Sequence, residues 1–314
     1  MAHFKQNAKV KLCDPAKNRV VIDEFIGSGS QADIYKAHIE SSKKLVAAKH
    51  CYFRFANNKN GFYNKVVELT KTPCPHPDLC WPEAVSRLAP DKSFVYTMPL
   101  VEGYKSLAGV INNTDNLSTG YKIVLLTKIA LVLETLHSKG FVFGDISHNN
   151  ILYKIEKDGN LSVKFIDCEN ISSKTEFYGL RGSERYQAPE LLIPTFDGSF
   201  SPPTTYSDRF AFQVLAFRVL IRRHPLDGKL TRSVRIDNPE AYREFFGIRP
   251  KFIFDGSENA PDDNPKIAER WNALPEPIKD FFKISFSQKC LVSSPAARPP
   301  IKAFLNAALA AYRK

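Results

Sequence analysis

No apolar run in this chain approaches the roughly 18 residues that a bilayer-spanning helix needs, and no apolar segment follows the opening MAHFKQNAKVKL. The expectation is a cytoplasmic chain without a membrane contact. Cysteine is sparse as well: Cys13, Cys51, Cys74, Cys80, Cys168 and Cys290 show no framework spacing. That excludes a disulfide scaffold and reads as free thiols in a reducing compartment. The one tight grouping, CPHPDLC from Cys74 to Cys80, has no second paired half and reads as a turn entering a strand rather than a zinc site. Internal repeats and low-complexity linkers are also missing. Acidic residues are outnumbered, 33 against 44 basic, for a net charge of +11. Such a balance suits an anionic substrate, a nucleic acid or merely a soluble surface. The densest basic segment, FRVLIRRHPLDGKLTRSVR, lacks the interleaved aromatics that single-strand binding uses. It reads as a solvated helix end and loop, and a nucleic-acid partner is not expected.

What is present is ordinary globular composition, 43% hydrophobic and 25% charged over 314 residues, enough for one large core or two modest lobes. The first hundred residues read as short strands, RVVIDEFIGSG, DIYKAHI, LVAAKHCYF and FVYTMPLV, with one helix near Gly61 to Leu69. Beyond Gly103 the pattern turns helical. Leu126, Ile129, Ala130, Leu133 and Leu136 recur at spacings of three and four, which predicts a core helix between Thr119 and Ser138. NILYKIEKDGNLSVKFID predicts a hairpin with Asp158-Gly159 as a two-residue turn. YSDRFAFQVLAFRVLI is expected to be the most buried helix, and the stretch from Arg232 to Pro265 to be irregular. This is an α+β pattern: residues 1–98 form a sheet lobe, 99–103 a hinge and 104–314 a helical lobe. The join is where a ligand cleft is expected.

Several polar residues fall where phosphate chemistry would want them. Gly27 and Gly29 sit between two strands, where the lack of a side chain lets backbone amides approach phosphates. The next strand ends in Lys49, a cation for phosphate oxygens. Glu68 is the one acidic residue between Lys49 and Asp78, so it is the expected helix partner for that lysine. Further on, Asn150 and Asp167 offer the oxygen donors that Mg²⁺ prefers. Asp145 is placed to accept or orient the proton of an attacking hydroxyl.

In this order the residues resemble the protein-kinase superfamily, over roughly residues 20–312. The glycine loop, strand lysine, helix glutamate, catalytic loop, D-F-G and A-P-E of that family stand here as GSGSQADI, VAAK, Glu68, FGDISHNN, DCE and APE. The motif set looks most like the eukaryotic-like serine/threonine kinases of bacteria. The resemblance implies a bilobal kinase fold, ATP and Mg²⁺ (or Mn²⁺) as cofactors, and catalytic roles for Lys49, Glu68 and Asp145. It implies adenine contacts from Ile34, Ala47, Met98, the hinge Pro99, Leu100 and Val101, and Leu152. It also implies that Arg298 pairs with Glu190 and that Asp208 holds the catalytic-loop backbone.

The departures are specific. Ala32 replaces the third glycine, and Phe143-Gly144 replaces His-Arg, removing the guanidinium that grips an activation-loop phosphate. The active arrangement is therefore expected to form without phosphorylation acting through that arginine. Ser147 replaces a lysine, and Cys168-Glu169 replaces Phe-Gly. Glu169 is expected to face solvent or stand behind the metal ligands. The leading reading is a protein serine/threonine kinase with acidic-flanked protein substrates, itself included through Ser172, Ser173, Thr175, Tyr178 or Ser183. The alternatives are a pseudokinase scaffold that binds without turnover and a small-molecule phosphotransferase.

Overall fold

The computed structural model describes residues 4–29, 32–52, 59–173, 182–261 and 264–312. The chain divides into two compact units. The first runs to Tyr104 and takes in Lys164–Glu169; the second holds Lys105–Val163 and the described residues from Asn170 onward.

In the first unit six antiparallel strands form one sheet: β1 (Lys9–Lys11), β2 (Arg19–Ser28), β3 (Ala32–Ile39), β4 (Leu45–Cys51), β5 (Ala84–Val85) and β6 (Phe94–Met98). Their spatial order is β1-β2-β3-β4-β6-β5. Side chains alternate across a strand, and here both faces find cover. Val46, Ala48 and Val95 join Leu12, Val20 and Tyr35 on one face. Ala47, Cys51, Phe94, Tyr96 and Met98 join Phe62 and Val66 on the other. Phe62 and Val66 belong to α1 (Lys59–Lys71), which extends the helix expected near Gly61 to Leu69 by about half a turn at each end. β1 and β5 are too short to carry a readable alternation, and their place depends on pairing with β2 and β6.

The second unit contains a small sheet in the order β7-β8-β9: β7 (Lys105–Ser106), β8 (Ile151–Ile155) and β9 (Leu161–Phe165), whose last two residues belong to the first unit. The β8–β9 connection differs from the two-residue turn expected of Asp158-Gly159. Gly159 N–H donates to Glu156 O and Glu156 N–H to Asn160 O, leaving three residues in the loop with Gly159 at φ 82°. Glycine satisfies the left-handed position that a three-residue hairpin loop requires.

The helices are α2 (Ala108–Ile111), α3 (Thr119–Ser138), α4 (Pro189–Leu192), α5 (Thr205–Ile221), α6 (Pro239–Arg243), α7 (Pro265–Asn272), α8 (Glu276–Ser285) and α9 (Ile301–Tyr312). α3 has the bounds its periodicity predicts, and Leu126, Ile129, Ala130, Leu133 and Leu136 are buried. α5 is buried from Phe210 to Ile221 apart from Arg218. Its start is fixed by a capping box in which Thr204 and Ser207 exchange side-chain-to-backbone hydrogen bonds. The stretch expected to be irregular contains α6, because Asn238 caps the helix and Pro239 fits its first turn. No helix among the described residues is long and apolar enough to cross a membrane.

Candidate active site

Sheet register groups the candidate residues of the first unit. Gly27 opposes Ile34, Ile34 opposes Lys49, and Lys49 opposes Tyr96, so these four form one row across β2, β3, β4 and β6. Directly opposed residues project to the same face. Lys49 is 7% exposed. Its Nζ donates to Asp167 Oδ1 at 2.8 Å and to Glu169 Oε1. Tyr96 completes the group by donating its hydroxyl to Glu169 Oε2 at 2.7 Å. Asp167 has φ 57°, a left-handed turn that costs about 1–2 kcal/mol for a residue with a Cβ. A 3-10 turn then starts at Cys168, which is fully buried and donates its thiol to Phe165 O at 3.3 Å. Burial alone would push the Lys49 ammonium down, but the charges of Glu169 and Asp167 outweigh it and hold the group above the usual lysine range. Burial and then Glu169 raise the Tyr96 phenol. Both groups therefore remain protonated donors.

One expectation changes here, and one of the two alternatives for Glu169 falls away. Glu68 is exposed and forms no ion pair with Lys49 among the described residues. The reason is rotational: α1 turns Phe62, Val66 and Leu69 to the core, and Glu68 lies about 200° around the helix from Val66. Glu169, in contrast, does not face solvent. It is 5% exposed and supplies the carboxylate that Glu68 does not.

The remaining first-unit candidates lie beside that row. A Cβ at Gly27 would meet nothing within 4 Å, and one at Gly29 only Ala32 O at 3.8 Å. Among the described residues nothing fills these two positions, as close approach of a phosphate needs. Ala47 opposes Met98, both buried on the face that carries Lys49, and Ile34 packs against the same cluster. Leu100 and Val101 are half-buried against it, and Pro99 is exposed. Ser30 and Gln31 lie outside the described residues.

The second unit carries the catalytic-loop candidates. Asp208, in the first turn of α5, accepts Phe143 N–H at 2.7 Å and Gly144 N–H at 3.0 Å, and its Oδ2 is 3.0 Å from His137 Nε2. Gly144 has φ 80°, a conformation that favours glycine over the arginine the family pattern puts there. Beyond this clamp, Asn150 Nδ2 donates to the backbone oxygen and to Oδ2 of Asp145, each at 2.8 Å. Asp145 Oδ1 accepts Ser183 N–H at 2.6 Å and the Ser183 hydroxyl at 2.7 Å. Ser147 is fully buried with its hydroxyl accepting Asn149 N–H, so no cation is offered from that position. The Tyr186 hydroxyl and His148 Nδ1 share a hydrogen bond of 2.8 Å. The imidazole is neutral because burial and Arg218 lower it to about 4. Leu152 is half-buried opposite Ser106.

The expected scaffold pairs are present. Arg298 grips Glu190 with two bonds of 2.7 and 2.6 Å, and it also donates to the carbonyls of Cys290 and Tyr206. Among the hydroxyls proposed for self-modification, Ser183 is engaged with Asp145, Ser173 is exposed and Ser172 pairs its backbone with Val142. Thr175 and Tyr178 lie outside the described residues. Asp167 belongs to the first unit and Asn150 to the second. Sequence reading missed Tyr96 and the bond between Ser183 and Asp145. Only the register of β4 against β6 marks Tyr96, and no sequence signal marks the Ser183 bond.

A buried strand lysine paired to an aspartate 118 residues away, and an Asp-x-x-x-x-Asn loop whose preceding backbone is clamped from the start of a helix, are the arrangement that the motif order of a protein-kinase domain leads one to expect. Residues 20–309 match the protein kinase domain model, and the chain belongs to that family. It is similar to serine/threonine-protein kinase ULK3 of Xenopus laevis, 26% identical over 181 residues, 57% of this chain and 38% of that protein. It is similar as well to protein kinase C delta type of Homo sapiens, 33% identical over 113 residues, 34% of this chain and 16% of that protein. A probable serine/threonine-protein kinase fnkE of Dictyostelium discoideum is 28% identical over 108 residues, 33% of this chain and 8% of that protein. The chain spans well under half the length of these relatives.

Proposed function

We propose that this protein is an ATP- and Mg²⁺-dependent kinase that transfers the γ-phosphate to serine or threonine hydroxyls of protein substrates in the cytoplasm. The observation that carries the reading is the 2.7 Å bond from the Ser183 hydroxyl to Asp145 Oδ1. It is an internal example of this carboxylate accepting an aliphatic hydroxyl, the group a protein acceptor would present. An acceptor hydroxyl would take the place of Ser183, and Asp145 would orient it and receive its proton. Asn150 holds Asp145 in place, and Asp208 fixes the backbone just before it.

The residues fit the implied nucleotide and metal. Gly27 and Gly29 leave room beside the sheet, and Lys49 is a protonated donor for phosphate oxygens. Ile34, Ala47, Met98, Leu100 and Val101 give an apolar lining in the first unit, with Leu152 a further apolar candidate in the second. Asp167 offers a carboxylate oxygen. Asn150, with its amide nitrogen committed to Asp145, offers its carbonyl oxygen. Both are the hard donors Mg²⁺ prefers, and the ion when bound neutralises phosphate charge. The motif set GD-x-S-x-x-N, I-D-C-E and A-P-E is read as nearest to the eukaryotic-like kinases of bacteria. The net charge of +11 favours acidic-flanked substrates.

One observation favours a second reading. Ser147 is fully buried and cannot steady a phosphate as a lysine would, which suits a scaffold that binds nucleotide without turnover. Transfer from labelled ATP, with Mg²⁺ or Mn²⁺ and generic protein acceptors, separates the two. The expected result is labelled protein in wild type and none with Asp145→Ala or Asp167→Ala. Nucleotide binding without labelling would instead establish the scaffold.

A further inference from the structure

We propose that Glu169, gripped by Tyr96, is the carboxylate that positions Lys49 for the nucleotide, in the role the sequence pattern gives to Glu68. The inference deepens the kinase reading and rests on it only for the identity of the ligand.

A lysine that must meet phosphate oxygens from inside a sheet needs a fixed ammonium, and a buried ammonium needs a counter-charge. Lys49 is buried, and the face of α1 that packs on its sheet presents Phe62 and Val66 rather than an acid. The carboxylate arrives from the other direction. The left-handed turn at Asp167 and the 3-10 turn that follows bring Glu169 to Lys49 while Cys168 takes the apolar slot. Tyr96 fixes the far oxygen of that carboxylate, and it can do so because it stands directly opposite Lys49 in the ladder. Lysine, glutamate and tyrosine are thus held by the pairing of β4 with β6 and by one turn; among the described residues α1 gives them no hydrogen bond or ion pair, only the apolar packing of Phe62 and Val66 in the cluster that contains Tyr96. Asp167 also touches Lys49 but is one-third exposed and offers a metal-binding oxygen, whereas Glu169 is 6% exposed at its side chain and its two oxygens go to Lys49 and Tyr96. A further consequence is mechanical: the lysine's counter-charge does not depend on where α1 sits, so movement of that helix would not break the pair.

The test uses the full chain as Glu169→Gln, Glu169→Asp, Tyr96→Phe and Glu68→Gln. Two readouts are taken. The first is a brief pulse of acetic anhydride without nucleotide or metal, with acetylation at Lys49 read by mass spectrometry against the exposed Lys105. The second is kcat and KM for ATP in the transfer assay. Lys49 is expected to be protected in wild type and in Glu68→Gln, to become severalfold more reactive in Glu169→Gln, and to fall between in Glu169→Asp and Tyr96→Phe. Transfer is expected to drop by about 10-fold or more in Glu169→Gln, with a raised KM, partial recovery in Glu169→Asp and little change in Glu68→Gln. Equal Lys49 labelling in Glu169→Gln and wild type would overturn the proposal, as would loss of transfer in Glu68→Gln with retention in Glu169→Gln. If wild type neither binds nor transfers, the kinase reading fails while the acetylation pulse still decides whether Glu169 holds Lys49. A Glu169→Gln chain that unfolds is replaced by Tyr96→Phe, whose labelling must then rise.

Discussion

Lys49 in the first unit and Arg298 in the second are both buried cations, yet they are partnered in opposite ways. Arg298 meets one carboxylate, Glu190, in a two-bond fork, spends further donors on two carbonyls, and lies 5.2 Å from the Phe210 ring. Its charge is neutralised and its donors are used, which is what a structural lock requires. Lys49 meets two carboxylates and leaves its neighbourhood with a net negative charge. Such a group is balanced only when a further cation arrives, so it suits a site that changes occupancy. Placement beside the proposed metal donor Asp167, rather than burial, is what separates Lys49 from the structural cation Arg298.

That contrast is sharpest in the variants that remove each cation. Arg298→Met is expected to destabilise the fold by about 3–5 kcal/mol, since three oxygen-bearing partners lose their donor. Denaturant unfolding measures it, and an unchanged midpoint would make Arg298 dispensable. Lys49→Met should do the reverse, lowering transfer by about 10²–10³-fold while the chain still unfolds cooperatively. Equal damage by both variants to stability and to transfer would erase the distinction drawn here. Asp208→Asn takes the charged acceptor from two loop N–H groups, for an expected loss of about 1.5–3 kcal/mol and a parallel fall in transfer.

The smallest effect is on pH. His148 is lowered to about 4 by burial and Arg218, and burial, Arg218 and Arg185 hold His224 well below its usual range. In the unfolded chain both titrate near 6.5. Stability from keeping them neutral is complete above about pH 6.5 and falls as pH drops from there towards 4, because the unfolded state binds more protons in that window. Unfolding midpoints at pH 7.5 and pH 5 should show the decline, and His148→Asn should make it shallower. A midpoint that rises on acidification would contradict the assignment.

Local chemistry made much of the second unit legible. The three-and-four spacing of α3 was readable because it depends on short-range periodicity, whereas the reach of Asp208 and Arg298 to their distant partners was foreseen only through the resemblance to the kinase family. The first unit was less legible at its centre. Counting acids between Lys49 and Asp78 pointed to Glu68, but which acid reaches a lysine is decided by helix rotation and strand register, neither of which spacing encodes. The same limit hid the exchange between Asp145 and Ser183, 38 residues apart.

The sequence by itself determined the α+β class, the order of the longer strands and helices, and the set of residues proposed to handle phosphate and metal. These follow from periodicities of two and 3.6 residues and from the chemistry of side chains. Only the tertiary structure decided which carboxylate holds Lys49. A left-handed turn at Asp167 and a tyrosine one strand away brought Glu169 inward, while α1 buried its apolar stripe and left Glu68 in solvent. The physical reason is that a buried charge takes whichever partner packing delivers.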